Sequence, residues 1–315
     1  MKKTPLVLLG YNRPEKFSKL LDSLKSSRPD SLIVVIDGPK ENNDQDVTKV
    51  LETQYVAQSI SWTDDVEFMF RPTNLGLRKS VEDAVTYATE KYGRAIMLED
   101  DARPGPAWIP YASMMLDTFE DAEKIQHVSG YDLVPPAFLS SPGRGSRLSR
   151  YPESYAWATW QSAWEKYDPQ LEWALNASVG DLERIVGSKM SALRWKQNFL
   201  DAHAGRISTW AYRWLATMWS QDAYMLTPNA NLVTYDGYTD GTHTFLKPGW
   251  RELERFDSDY KTLFVAKPEL DFAADQWAAR HVYSETAYGV SRGVAISAVL
   301  ELRKHYRAFK KTRTR

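Results

Sequence analysis

Apolar residues over the first hundred positions alternate between unbroken runs and runs spaced three and four apart, and the two textures predict different elements. Leu6–Leu9, Leu32–Ile36 and Ala95–Leu98 are short continuous runs, the pattern of strands buried on both faces, and Val66-Glu-Phe-Met-Phe70 reads as a further strand. Phe17, Leu20, Leu21 and Leu24, and later Leu77, Val81, Ala84, Val85, Ala88 and Tyr92, recur at helical spacing. Pro14 suits the first turn of the earlier helix, where an amide has no intrahelical acceptor to lose. Gly10–Pro14, Asp37-Gly38-Pro39 and Arg71–Gly76 read as the intervening loops. Strand and helix therefore alternate, which predicts an α/β fold with a mostly parallel, Rossmann-like sheet flanked by helices.

Ligands of such sheets settle beyond the carboxyl ends of the strands. That rule gathers Asn12 and Arg13, Asp37, and the triplet Glu99, Asp100 and Asp101 on one rim. Three adjacent carboxylates repel one another and lose hydration when partly buried, so they call for compensation, most simply by a divalent cation.

Past Gly130 the alternation fades and tryptophan becomes frequent, at Trp157, Trp160, Trp164, Trp173, Trp195, Trp210, Trp214 and Trp219. Most such rings belong to a core, with a minority free to stack on a carbohydrate face. Pro142–Gly145 reads as a flexible loop able to close over a ligand. No repeat and no linker is evident. Ala295, Ala298, Val299, Leu302, Tyr306 and Phe309 predict a last amphipathic helix, and Leu302–Arg315 carries Arg303, Lys304, Arg307, Lys310, Lys311, Arg313 and Arg315 without an acid.

Composition narrows the chemistry. The 315 residues, 43% of them hydrophobic, suffice for one large α/β domain with an appendage. The chain has no cysteine, which removes disulfides, thiolate ligands and cysteine nucleophiles and leaves oxygen or imidazole for any metal. A net charge of −1 argues against nucleic acid as a partner. No apolar run approaches the ~20 residues of a membrane span, so the expectation is a cytoplasmic protein whose basic C-terminal helix docks peripherally on the anionic inner face of the membrane. No G-x-G-x-x-G follows the first strand and no G-x-x-x-x-G-K-[ST] occurs, so the dinucleotide and P-loop readings lose their main support. What remains suits a nucleoside diphosphate held through a hard cation.

Taken in order, strand, Tyr11-Asn-Arg-Pro14, strand, Asp37-Gly38, Asn74-Leu-Gly76 and Leu98-Glu-Asp-Asp101 resemble the nucleotide-sugar half of GT-A glycosyltransferases. The likeness is to bacterial family-2-type sugar transferases and to N-acetylglucosaminyltransferase I, whose metal motif is also Glu-Asp-Asp. Tyr155-Ala-Trp-Ala-Thr-Trp160 with Ala163-Trp-Glu-Lys-Tyr-Asp168 is similar to the Trp-rich segment of the bacterial enzymes, and Pro228–Val233 with Gly241-Thr-His-Thr244 to their closing motif. The resemblance implies a GT-A domain over 1–245, divided into a nucleotide-sugar half (1–130) and an acceptor half (131–245), followed by a helical extension over 246–315. It implies a metal-dependent, inverting transfer from a nucleotide-diphosphate sugar, a UDP-sugar favoured, to a glycan or lipid-linked glycan. Asn12, Arg13, Asp37, Asn74, Lys79, Glu99 and Asp100 would bind the donor, and Asp101 with His243 would hold Mn²⁺ or Mg²⁺.

An inverting transfer also needs a base within reach of the acceptor hydroxyl. The relative carries an acid beside its tryptophan where this chain reads Trp210-Ala-Tyr-Arg-Trp214, so the base falls to Asp222, then Glu153, then Asp240. The competing classes are a nucleotide-sugar hydrolase or nucleotidyltransferase on the same fold, and a non-catalytic glycan-binding protein suggested by the tryptophans.

Overall fold

A computed structural model of the chain describes residues 3–27, 29, 31–237, 255–286, 289, 291 and 293. The elements in order are β1 (Leu6–Gly10), α1 (Pro14–Leu24), β2 (Leu32–Ile36), α2 (Asp44–Gln58), β3 (Val66–Phe70), α3 (Leu77–Tyr92), β4 (Arg94–Glu99), β5 (Ala102–Pro104), α4 (Trp108–Thr118), β6 (Ile125–Ser129), β7 (Ser146–Ser149), β8 (Ala156–Trp160), α5 (Gln161–Trp164), α6 (Glu172–Asn176), α7 (Val179–Val186), α8 (Lys189–His203), α9 (Ala211–Ser220), β9 (Tyr224–Pro228), β10 (Val233–Tyr235) and α10 (Phe272–His281). The chain divides into two compact units, Met1–Lys166 with Ala223–Asp275, and Tyr167–Asp222 with Gln276–Arg315.

The first unit is built on an eight-stranded sheet in the order β3-β2-β1-β4-β8-β6-β9-β7, with β10 and β5 paired antiparallel in a separate two-stranded sheet. The four expected strands form β1 to β4, all parallel, and every residue of β2 is buried, as a strand covered on both faces requires. β1, β2 and β3 step in one direction across the sheet and β4 steps back. Right-handed crossovers therefore put α1 and α2 side by side on one face and α3 on the other. Beyond β4 the sheet is mixed: β8 runs antiparallel between β4 and β6, β9 runs parallel to β6, and β7 closes the far edge antiparallel.

The Trp-rich segment is this antiparallel strand and the short helix after it, and its rings are core. Trp157 stacks on His127 with centroids 5.0 Å apart. The indole N–H of Trp160 donates to the Leu116 carbonyl at 3.0 Å, and that of Trp164 to Thr86 Oγ1 at 2.9 Å. Buried indoles need such acceptors.

α2 has no counterpart in the hydrophobic pattern. Its buried positions are Asp46, Val50, Thr53 and Ala57, whereas its larger apolar residues Val47, Leu51 and Tyr55 are exposed, so no apolar stripe stands out in the text. Pro142–Gly145 is not free to swing as a lid: the Gly143 and Gly145 amides donate to Asn229 O at 2.7 Å and Thr262 O at 3.0 Å, and Gly145 O accepts from the Asn229 amide at 3.0 Å.

Residues 255–271 do not begin a helical extension. Apart from one short turn of 3-10 helix, Tyr260–Leu263, they run as an extended strap beside β7, where Leu148 N donates to Glu269 O at 2.8 Å and Asp271 N to Leu148 O at 3.2 Å. α10 follows. The helix expected from Ala295 and the basic segment Leu302–Arg315 lie outside the described residues.

In the second unit, aromatic rings meet around Trp195: Phe199, Tyr212, Trp219 and Tyr283 lie with centroids 5.2 to 5.6 Å from it. Its indole N–H donates to Glu285 Oε1 at 2.6 Å. Across the chain, Trp157, Trp160, Trp164, Trp195, Trp210, Trp214 and Trp219 are all buried, and Trp173 is partly so. Among the described residues no helix is long and apolar enough to cross a membrane.

Candidate functional site

β4 lies between β1 and β8, and its last residue opens the acidic triplet. Asp100 and Asp101 are buried and Glu99 is half-buried. Arg13, delivered by the β1–α1 loop, grips Asp100 with two nitrogens: Nε donates to Oδ2 at 2.9 Å and Nη2 to Oδ1. Nη2 also reaches Asp101 Oδ2 at 3.3 Å.

That guanidinium does not neutralise the triplet. Burial pushes the Asp100 carboxyl up to about 6 even with Arg13 beside it and with Asp101 adding repulsion. Asp101 is raised by burial against the pull of Arg13 and Lys16, and Glu99 is raised well above the usual carboxylate range by burial and then by its two acidic neighbours. No donor among the described residues reaches the Glu99 carboxylate, and Asp101 Oδ1 is buried without a hydrogen-bond partner. A buried acceptor left unpaired costs roughly 1–3 kcal/mol, more when ionised.

Asp37, at the end of β2, is in the opposite condition. Its Oδ1 accepts from the amides of Gly38 and Leu75, both at 2.9 Å, and its Oδ2 from the Gly76 amide and Asn74 Nδ2, both at 3.0 Å. Four donors fill the acceptor capacity of a carboxylate. Asn74 Nδ2 also donates to Gly38 O at 2.9 Å. The loop before α3 thus folds over the end of β2, so closely that a Cβ on Gly38 would stand 2.4 Å from the Thr73 backbone. Gly76 takes φ +78°, a left-handed conformation that glycine adopts without strain.

The remaining expected residues divide. Asn12 sits on the rim, where its side-chain amide donates to Asp46 Oδ1 at 2.5 Å. Asp46 also accepts from Tyr11 Oη and, at 2.7 Å, from the Lys40 amide, and these donors hold its carboxyl below the usual range although burial opposes them. Lys79, in the first turn of α3, pairs with Asp83 one turn on at 2.6 Å. Glu153 is buried in the loop between β7 and β8, where its carbonyl accepts from His127 Nε2 at 2.9 Å and its amide meets Met225 Sδ, near the start of β9, at 3.3 Å. His127 is itself pushed down to about 3 by burial and is neutral.

Asp222 is not brought to the rim. It occupies a left-handed turn (φ 50°) just before β9, whose first residue bonds Lys124 at the amino end of β6. β9 therefore starts at the end of the sheet away from Glu99–Asp101, because β6 and β4 run the same way on either side of antiparallel β8. Asp240 and His243 lie outside the described residues.

Several rim residues escaped the sequence reading. Lys16, buried on α1, donates to the Asp236 carbonyl at 2.7 Å, and Arg103 Nη2 reaches Asp236 Oδ2 at 2.9 Å. The Asp236 amide donates to Asp101 O at 2.8 Å, which fastens the end of β10 beside the triplet. Tyr131, Tyr155 and Tyr235 form an aromatic cluster next to it: Tyr155 and Tyr235 have centroids 4.2 Å apart, and Tyr131 meets Tyr155 edge-on at 5.2 Å. Tyr131 follows β6, Tyr155 precedes β8 and Tyr235 ends β10.

The asparagines of Pro228–Val233 prove architectural. Asn231 Oδ1 accepts from the Asp132 amide at 2.7 Å, and Asn229 Oδ1 from Arg147, which pairs bidentately with buried Asp132 at 2.6 and 2.9 Å. Gly289–Gly293 spells G-x-S-x-G, and its described members, Gly289, Ser291 and Gly293, are helical, whereas a nucleophile elbow sits on a strand-to-helix turn.

The residues present fit a hard cation. Asp101 offers a buried oxygen with no other partner, and no thiolate competes. Among the described residues no three His, Asp or Glu side chains converge into a ready cage. Compared with known proteins, the chain matches no family model and no curated protein.

Proposed function

We propose that the chain is a cation-dependent glycosyltransferase that moves a sugar from a nucleotide-diphosphate donor, a UDP-sugar favoured, to a glycan acceptor with inversion. The observation that carries this reading is Asp101 Oδ1, a buried carboxylate oxygen without a donor, inside a run of three acids at the carboxyl end of a central strand. Asp101 holds Mn²⁺ or Mg²⁺, and His243 adds a ligand or a diphosphate contact. When bound, the cation supplies Lewis-acid stabilisation of the charge that gathers on the departing diphosphate.

The chain's own groups do the rest. Arg13 fixes Asp100 and keeps Asp101 from turning away. Asp37 acts as a positioning residue: it sets the 74–76 loop against which base and ribose rest. Glu153 is taken as the base that accepts the acceptor proton, with Asp240 as the other candidate. The basic segment Leu302–Arg315 brings the enzyme to an anionic membrane face, where a lipid-linked acceptor resides. The glycan-binding alternative has less support, since seven of the eight tryptophans behind it are buried.

The test is a thermal-shift series with UDP, GDP, TDP and CMP, each with Mn²⁺ and with EDTA, followed by transfer assays with the nucleotide that binds. Saturation at a hundred times Kd adds about 2.7 kcal/mol to folding stability, an easily read shift. One nucleotide should stabilise the wild type only with metal and leave Asp101→Ala unmoved; Glu153→Gln should keep that shift and lose turnover. Release of free sugar at the same rate with and without acceptor would turn the reading to a hydrolase. Absence of any nucleotide shift would remove the donor site altogether.

A further inference from the structure

β3 ends the sheet, and among the described residues no strand pairs with its outer side. The backbone groups of Asp65 and Arg71 bond to β2, through Leu32 N to Asp65 O at 2.9 Å and Arg71 N to Ile36 O at 3.0 Å. Strand alternation then turns the N–H and C=O of Val66, Phe68 and Phe70 outward. The register Leu32↔Val66, Val34↔Phe68, Ile36↔Phe70 puts those three side chains on the α1–α2 face, because Leu32, Val34 and Ile36 share a core with Leu20, Leu24 and Val50.

α2 overhangs this edge. Its buried line runs through Asp46, Val50, Thr53 and Ala57. Val47, Leu51 and Tyr55 are spaced four apart on the flank turned away from α1, as the right-handed β2–α2–β3 crossover requires. Leu51 is 58% exposed, Tyr55 78% and Phe68 40%. An apolar helix flank above an apolar, unpaired strand is the arrangement that natural edges usually avoid with charge, proline or a bulge. Among the described residues it is left open.

We infer that this edge is a two-fold interface between copies of the chain, with β3 pairing antiparallel to β3 of the second copy about Phe68. That register pairs Phe68 with Phe68 and Val66 with Phe70, so every outward N–H and C=O of the strand gains a partner. It also sets Asp65 of each copy, which pairs with Lys3 within its own chain, opposite Arg71 of the other, so that the strand ends are complementary in charge. A two-fold axis perpendicular to the sheet keeps both α2 helices on one face. With strands ~4.8 Å apart and α2 above β2 and β3, the two helices lie on the order of 10 Å apart, the distance at which packed helices touch. Leu51 and Tyr55 supply the apolar burial that a five-residue strand pair alone lacks.

Sedimentation velocity of the full chain across a dilution series tests this. The wild type should sediment as a dimer that dissociates on dilution. Leu51→Glu with Tyr55→Glu, both at well-exposed positions, should raise the dissociation constant at least tenfold, about 1.4 kcal/mol, with the melting temperature of the monomer unchanged. The absence of cysteine allows a second, independent readout. Only a residue on the two-fold can cross-link to itself: Phe68→Cys should form a disulfide dimer on mild oxidation, since an antiparallel hydrogen-bonded pair sets Cα atoms ~5.5 Å apart, within disulfide range. Leu200→Cys, similarly exposed on α8, should not. A monomer at every concentration overturns the inference, and so does a dimer that ignores both glutamates and leaves Phe68→Cys unlinked.

Discussion

Asp37 and Asp101 stand two strands apart on one rim, close in the text of the motifs and opposite in physical condition. Asp37 accepts four hydrogen bonds and has no capacity left. Asp101 has one long contact to Arg13, one buried oxygen with no donor, and two acidic neighbours. The first arrangement completes a fold; the second is completed only by something that binds. An acid on the rim is therefore informative through what it lacks, and the substitutions that distinguish the two acids are those that separate stability from ligand response.

The largest effect should come from the cation that faces the triplet. Arg13→Met removes both donors to buried Asp100, and breaking a buried pair in this way should cost about 4 kcal/mol at neutral pH, read by urea denaturation. Adding Asp100→Asn should recover most of it, because the stranded charge is gone; no recovery would mean that Arg13 stabilises by packing alone. Asp37→Ala comes next, at about 3 kcal/mol, from orphaning three amides and the Asn74 side chain. Without that loss Asp37 would be free for a ligand, as the sequence suggested, and the contrast with Asp101 would collapse.

Asp101→Asn should do the reverse. With one like charge removed, the unliganded protein should be as stable as the wild type or up to ~1 kcal/mol more so, while the metal-dependent nucleotide shift, about 2.7 kcal/mol at saturating ligand, disappears. A variant that loses stability and keeps the shift would reverse the assignment of the two acids.

How far the text reached follows from the same contrast. The strands β1, β2 and β4 and their rim were legible because a doubly buried strand must be apolar without interruption, and that is visible residue by residue. The role of Asp37 was not, since three of its four partners are backbone amides that any sequence possesses. The place of Asp222 was not legible for a topological reason: which end of the sheet β9 starts from depends on β8 entering antiparallel, and an apolar strand pattern carries no direction. α2 was invisible because its exposed face carries Leu51 and Tyr55, the residues that make the sheet edge beneath it an interface candidate.

Asp275 supplies the calibration for both acids, being buried like Asp101 yet partnered, by Ser149 Oγ at 2.5 Å and the Arg150 amide at 3.0 Å. Burial pushes its carboxyl up to about 6 despite those donors and despite Arg147 and Arg150. An unfolded aspartate titrates near ~3.9. Between those values the folded chain holds a proton that the unfolded chain has released, so unfolding free energy falls as pH rises through the window and levels off above it. Asp275→Asn has no proton to lose. Its stability relative to the wild type should therefore climb by about 2 kcal/mol between pH 4 and pH 7.5, measured as paired urea midpoints. A flat difference would show that two donors suffice to offset burial, and the unpaired oxygen of Asp101 would then weigh more heavily as the mark of a binding site; a climb shows that even a partnered acid is held under strain at this depth, and that Asp37, with four donors, represents the number a buried carboxylate needs.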